Sequence, residues 1–222
     1  MHLPDDAYTQ ACEDRDFVEW HHGCPWCAVW VLRIDSARVQ QWMAAARSSI
    51  APYVLARYAR QAHVTVAYRG LMADAQPHPR ATFSLVDLQR DIAQLKAAGL
   101  APLALQLQGV GSFATVPYIG VQAGPALQQW HEALAAQHAP DPEWRYVPHL
   151  TLGHYACAMP VAKVLQCLQQ VLPAGVLWQS SISRLWLARY RSHDIAGPLY
   201  WEGCLDVRTG RYEAQPDALL QP

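Results

Sequence analysis

A histidine and a threonine stand two residues apart inside a short apolar run at two places in this chain, His63-Val64-Thr65-Val66 and His149-Leu150-Thr151-Leu152. Alternate residues of a β-strand share a face. Each run therefore turns an imidazole and a hydroxyl to one side and buries Val64/Val66 or Leu150/Leu152 on the other. This constrains the fold to two half-buried strands, each with one covered face and one open face. One such pair is what a core histidine beside a β-forming threonine produces by chance. Two in matching settings, each followed by an aromatic residue (Tyr68 and Tyr155), imply a site built from two equivalent halves.

The surroundings of the two runs repeat as well. A β-rich run, Ala28-Val29-Trp30-Val31-Leu32 within Cys27–Asp35, reads as a buried strand. Ser36 caps a helix with Val39, Trp42, Met43, Ala46 and Ile50 on its apolar positions, and the His63 strand follows. Ser84 and Asp87 form a capping box before a helix striped by Leu85, Leu88, Ile92 and Leu95, with Phe83 and Leu88 as a staple and Gly99 as the stop. A strand over 103–108 then leads into the turn Gly109-Val110-Gly111-Ser112. The order starts again with a strand over 116–121, and a helix opened by Pro125 carries Leu127, Trp130 and Leu134. The His149 strand comes next, followed by a helix from Pro160 with Val164, Leu165, Leu168 and Val171. Strands over 182–190 and 199–207 close the chain. From Cys27 to His63 is 36 positions and from Val116 to His149 is 33. The expectation is an α+β protein of two pseudo-symmetric lobes. Residues 1–26 read as an N-terminal extension and 27–222 as a single bilobal domain. Lobe one spans about 27–112 and lobe two about 113–210, with strands open to exchange between them.

Composition narrows the function. The net charge of −1 argues against a protein that holds long nucleic acid on a broad basic surface, because such binding needs many Lys/Arg–phosphate contacts. A small phosphorylated ligand or an RNA end fits. Nine Trp and ten Tyr supply flat side chains for core packing and for stacking on bases. Met1–Asp6 has neither a basic nor an apolar signal region, and no apolar run reaches the length of a membrane span. Six cysteines in 222 residues are too sparse for a disulfide framework and read as reduced thiols, so the expected location is cytoplasmic.

Two facing histidines have a definite chemistry. A neutral imidazole takes a proton from water or a hydroxyl, and an imidazolium gives one to a leaving oxygen. Thr65 and Thr151 would donate hydrogen bonds to the non-bridging oxygens of a phosphate between them. Base, acid and donors together are what metal-free cleavage of a phosphodiester requires.

The stretches His63-Val64-Thr65-Val66-Ala67-Tyr68-Arg69-Gly70, Gly109-Val110-Gly111-Ser112-Phe113 and Tyr146-Val147-Pro148-His149-Leu150-Thr151-Leu152-Gly153 carry a resemblance. From Cys27 to Val207 the chain resembles the two-histidine (2H) phosphoesterase superfamily, which includes the 2′-5′ RNA ligases and cyclic nucleotide phosphodiesterases. The resemblance implies a bilobal α+β fold with two antiparallel sheets lining a central cleft and helices outside. It also implies cleavage of 2′,3′-cyclic or 2′-5′ phosphodiester linkages in nucleotides or RNA ends, with ligation as the reverse, and no metal or cofactor. On that pattern His63 and His149 exchange base and acid roles while Thr65 and Thr151 bind phosphate.

Further residues are candidates for the cleft wall. Strand alternation places Arg69 on the face of His63 as a phosphate clamp, and Tyr155 on the face of His149 as a stacking wall. Phe113 and Tyr118, beside the Gly-rich turn, are candidates for stacking on a nucleobase. Arg145, Arg189 and Arg191 are candidates for RNA-end contacts. The partners expected are thus a nucleotide or RNA-end substrate, with no membrane and no obligate protein partner. Two other readings stand: a non-catalytic nucleotide- or RNA-binding module using the same cleft, and a zinc or redox protein centred on Cys24-Pro25-Trp26-Cys27.

Overall fold

The computed structural model of the protein describes residues 7–135 and 145–221. The first six positions of the expected N-terminal extension lie outside the described residues. Strands are β1 Trp26–Arg33, β2 His63–Met72, β3 Leu103–Ser112, β4 Pro117–Ala123, β5 His149–Thr151, β6 Val176–Ile182, β7 Arg184–Arg191, β8 Tyr200–Asp206 and β9 Tyr212–Ala214. Helices are α1 Val18–His21, α2 Ala37–Ile50, α3 Leu85–Ala97, α4 Pro125–Ala135 and α5 Val161–Val171.

The strands form two antiparallel sheets, ordered β2-β1-β7-β8-β9 and β5-β4-β3-β6. The protein is therefore α+β with two antiparallel sheets and helices packed against them. The sheets cut across any division of the chain at residue 112. Strand β3, from the first half of the chain, lies in the second sheet, and β7 and β8, from the second half, lie in the first.

Local signals account for most elements. Ser36 Oγ accepts from the Val39 amide at the start of α2, and the Ser84/Asp87 capping box opens α3. Gly99 ends α3 at φ +87°, a left-handed conformation that a β-carbon would strain. One apolar core runs between the sheets and helices. Trp30, Leu32, Val64 and Val66 of the first sheet meet Leu105, Leu107, Ile119 and Leu150 of the second in a single cluster. Helix α4 packs on β2, α5 on β3, and α2 on α5. The stripe of α5 ends short of its last residue: Val171, expected in the core, is exposed.

The expected turn at Gly109-Val110-Gly111-Ser112 is instead the end of β3. Between the Leu107↔Val121 and Val110↔Ile119 pairs, Gln108 and Gly109 stand opposite Gly120 alone, so the chain bulges by one residue and continues. The left-handed φ of Gly109 makes this possible.

The N-terminal segment is tied down. Thr9 donates to the Met159 carbonyl, Gln10 to Ala114 and Cys12 to Tyr155, before α1 leads into β1. Arg57 pairs with both Asp14 and Asp194, which joins this segment to the loop after β7.

Candidate functional site

The two His-x-Thr runs open β2 and β5, and these strands pack beside each other although they belong to different sheets. Val64, Val66, Leu150 and Leu152 are buried in the common core, as alternation requires, while Thr65 and Thr151 are half-buried on the opposite face. The runs share more than composition. His63 Nδ1 donates to the Gln61 carbonyl at 2.7 Å, and His149 Nδ1 donates to the Val147 carbonyl at 2.8 Å. A carbonyl only accepts, so Nδ1 carries the proton in both rings and Nε2 is left as the basic nitrogen. Each imidazole thus has its tautomer fixed by the carbonyl two residues upstream.

Their surroundings differ. Burial pushes the His63 imidazole down to about 4, and the positive charges of Arg60, His149 and Arg47 push in the same direction. His149 is also lowered by burial, against the pull of its bond to Val147. Rings rather than cations surround it. Phe113 meets His149 edge to face at 4.9 Å between centroids, Tyr118 lies at 5.4 Å, and Phe113 and Tyr118 lie 4.5 Å apart. Tyr118 reaches this position because it crosses Gly111, its partner on β3. A β-carbon there would sit 2.5 Å from the Tyr118 ring. Both aromatics named beside the Gly-rich turn therefore lie against the second histidine.

Arg69 does not line the site, contrary to the expectation from alternation. Val31 pairs with Thr65 and Trp30 with Ala67, so Val66 is an extra residue and the parity of β2 reverses after it. Ala67 joins the core, and Arg69 is buried at 4% exposure in a bidentate pair with Asp91 (2.7 and 2.8 Å), with a third bond to the Leu134 carbonyl. Tyr68 takes the open face instead, among Cys27 and Tyr190. A signal for this existed in the sequence. Asp91 sits between Leu88 and Leu95 on the apolar stripe of α3, where a carboxylate needs a cation.

Tyr155 is also removed from the wall. Strand β5 stops at Thr151, so alternation does not carry to 155, and Tyr155 is fully buried with its hydroxyl 2.8 Å from Ser112 Oγ. Arg145 is exposed in the segment leading to β5. Arg189 is buried against Glu202 rather than available to an RNA end, and Arg191 is exposed with its guanidinium over Trp26.

Cys24 and Cys27 are fully buried, and desolvation raises both thiols, Cys27 to about 11. Neither is poised for redox exchange, and among the described residues no three His, Cys, Asp or Glu side chains gather as a metal-ligand set. The segment 54–62, which the sequence left unassigned, contributes more than this motif does. Tyr58 lies beside the Thr151 hydroxyl, and Arg60 acts on His63, His154 and Tyr58. Arg47 of α2 stacks over Tyr58 at 4.9 Å and donates to the carbonyls of Leu152 and Arg60. No motif in the sequence marks Arg47, Tyr58 or Arg60.

A family model described as the 2′-5′ RNA ligase superfamily matches residues 25–194. No curated protein matches the chain. Among solved structures, that of TT0787 from Thermus thermophilus is 17% identical, covers 82% of this chain and 98% of its own, and superposes with a TM-score of 0.53. Escherichia coli LigT complexed with 3′-AMP is 14% identical over 87% of this chain and 99% of its own, at a TM-score of 0.49. The same protein complexed with ATP is 16% identical over 89% and 99%, at 0.47.

Proposed function

From the premise that the chain belongs to the 2′-5′ RNA ligase superfamily and is a 2H phosphoesterase, we propose that it hydrolyses a 2′,3′-cyclic phosphate or a 2′-5′ phosphodiester linkage in a nucleotide or RNA end, without a metal, using His63 and His149. The observation that carries this reading is the duplicated imidazole geometry. Two histidines on neighbouring strands each commit Nδ1–H to a carbonyl two residues back and keep Nε2 for proton transfer.

The difference between their surroundings supports a division of roles. His63 lies within the influence of two guanidiniums and stays neutral, so it takes the proton from the attacking water as the new P–O bond forms. His149, walled by Phe113 and Tyr118, delivers a proton to the ribose oxygen as the old P–O bond breaks. Thr65 and Thr151 donate to the non-bridging oxygens, where negative charge builds up. In this reading Phe113 and Tyr118, which lie against His149, meet the base or sugar on the leaving side, and exposed Arg145 meets a neighbouring phosphate.

The test is a panel of 2′,3′-cyclic mononucleotides, ADP-ribose cyclic phosphate, 2′-5′ oligonucleotides and RNA ends, assayed by product identity in excess chelator. Turnover in chelator that is lost in both His63→Ala and His149→Ala is the expected result. Full activity in either variant removes the two-histidine mechanism, and loss of turnover in chelator replaces it with a metal-dependent one. Binding without product over long incubation identifies a binding module.

A further inference from the structure

Buried nitrogens without hydrogen-bond partners are uncommon in folded proteins and call for a reason. Two stand close together here. Arg60 Nε and His154 Nδ1 are both buried and unpartnered, and the charge of Arg60 reaches His154. The backbone around them is tied to both motifs: Arg47 donates to the carbonyls of Arg60 and Leu152, and His63 Nδ1 donates to the carbonyl of Gln61, next to Arg60. The charge of Arg60 also acts on His63 and on Tyr58, and Tyr58 sits beside Thr151.

Arg60 is held firmly in this position. Its guanidinium carbon sits over the Tyr190 ring, 4.0 Å from the centroid and within hydrogen-bond reach of that residue, and Nη2 donates to the Ile195 carbonyl at 3.2 Å. The Ala59 amide donates to the Ala196 carbonyl, and Gln61 exchanges two bonds with the Leu199 backbone, so the residues on either side are fixed to the same loop. Arg47 Nη2 donates to Arg60's own carbonyl. What Arg60 lacks is a carboxylate. Among the described residues it forms no ion pair, whereas the buried Arg69 and Arg189 each do. A half-buried guanidinium that is rigidly placed, unpaired and left with a free Nε–H is prepared for an anion from outside the chain.

We propose that Arg60 binds a non-bridging oxygen of the scissile phosphoryl group through Nε–H, with His154 as a neighbouring hydrogen-bonding group and Arg47 as the residue that positions it. This inference rests on the phosphoesterase reading and names the group that answers the second negative charge. A phosphodiester carries one charge, and its transition state and phosphomonoester product carry close to two. A fixed cation whose charge reaches His63 therefore binds the transition state and product more tightly than the substrate.

The experiment reads phosphate binding apart from turnover. Inorganic phosphate is titrated into the ¹⁵N-labelled wild-type protein while the arginine Nε–H resonances are followed, with that of Arg60 assigned from Arg60→Lys. A saturable shift of the Arg60 resonance is expected, and no movement of it at saturating phosphate overturns the proposal. In Arg60→Gln, shown to be folded by its thermal transition, phosphate affinity falls at least about tenfold and kcat/KM about a hundredfold, with Arg60→Lys between it and wild type. Unchanged phosphate affinity in folded Arg60→Gln overturns it. The acid limb of the pH profile supplies a readout that a merely structural role would not move. Burial is the main cause of the low value of His63, and Arg60, His149 and Arg47 each add to it, so Arg60→Gln raises that limb by a fraction of the whole shift while Arg60→Lys leaves it in place. A wild-type protein that shifts Arg60 with phosphate yet turns over no phosphodiester strikes the activity and sustains the anion site.

Discussion

The hydroxyl of Tyr146 donates to the backbone carbonyl of Thr65 at 2.8 Å, across 81 residues of sequence. Tyr146 stands three positions before His149, so the approach to the second motif holds the backbone of the first. The neighbouring Val66 carbonyl is held by His131 Nδ1 at 2.7 Å, and the His131 and Tyr146 rings stack 4.0 Å apart. These two bonds satisfy β2 at its bulge, where the ladder to β1 is interrupted.

Tyr146→Phe keeps the stack on His131 and removes one donor from a half-buried carbonyl. The unfolding free energy is expected to fall by about 1–2 kcal/mol in denaturant titration. The kcat is expected to fall about tenfold with KM little changed, because Thr65 loses its fixed position rather than its hydroxyl. Wild-type kcat in a variant that has lost the stability would uncouple Tyr146 from the site.

The pH dependence follows from the lowered histidines. His63 accepts protons only in its neutral form, which persists down to about pH 4, so the acid limb of kcat/KM is expected near pH 4 rather than 6.5. His149 must carry a proton and is also lowered, so the limb that falls with rising pH begins below 6.5. The optimum in the free enzyme is therefore expected on the acid side of 6.5, and a profile still rising through pH 8 would contradict the assignment.

Stability moves with the same groups. In the unfolded chain His63 takes up its proton near 6.5, and in the folded protein only near 4. Stability is therefore complete above pH 6.5 and falls as the pH drops through that window, by about 3 kcal/mol for His63 alone at 1.36 kcal/mol per unit. His154, also lowered to about 4, adds to the loss. Denaturant midpoints measured between pH 4 and 8 test this, and a midpoint flat over that range would remove it.

Asp91→Asn leaves Arg69 charged and buried with half its partner gone. A loss of about 3–5 kcal/mol in unfolding free energy is expected. Replacement of both members by apolar residues, Arg69→Met with Asp91→Leu, is expected to recover only part of it, because the Trp30 indole N–H loses its acceptor and the Leu134 carbonyl its donor, while retaining kcat, since neither group reaches the histidines. A large drop in kcat in that folded double variant would return Arg69 to the site.

Thiol titration is expected to separate the cysteines by burial. Cys24 and Cys27 are both 0% exposed with raised thiols, and in the native protein they react with alkylating reagents far more slowly than Cys157 and Cys167, reaching full reactivity only on unfolding. Rapid native labelling of Cys27 would restore the motif as a candidate reactive centre.

Helices α2 to α5, the two His-x-Thr strands and the aromatics beside His149 were legible because each rests on a local rule, namely a cap, a stripe or alternation along a strand, whereas α1 lies in what reads as an extension. Arg69 and Tyr155 were misplaced where that rule is interrupted, one by the extra residue Val66 and the other by the end of β5 at Thr151. Bulges and strand ends depend on pairing with a distant partner, which periodicity does not reveal. The contribution of 54–62 was hidden for a related reason. Arg60 takes its position from Tyr190 and Ile195, which lie more than 120 residues further on.

The distribution of strands between the sheets also sets a timetable. Strands β1 and β2 can pair as soon as they are synthesised, but β1 gains its second neighbour only when β7 exists, at residues 184–191. Until then one edge of β1 is open, and its Trp30 and Val31 are paired with β2 alone. A ribosome stalled after residue 135 would display an unfinished, aggregation-prone sheet rather than a folded half-protein. The repeat visible in the order of elements is thus no seam along which the chain can be divided.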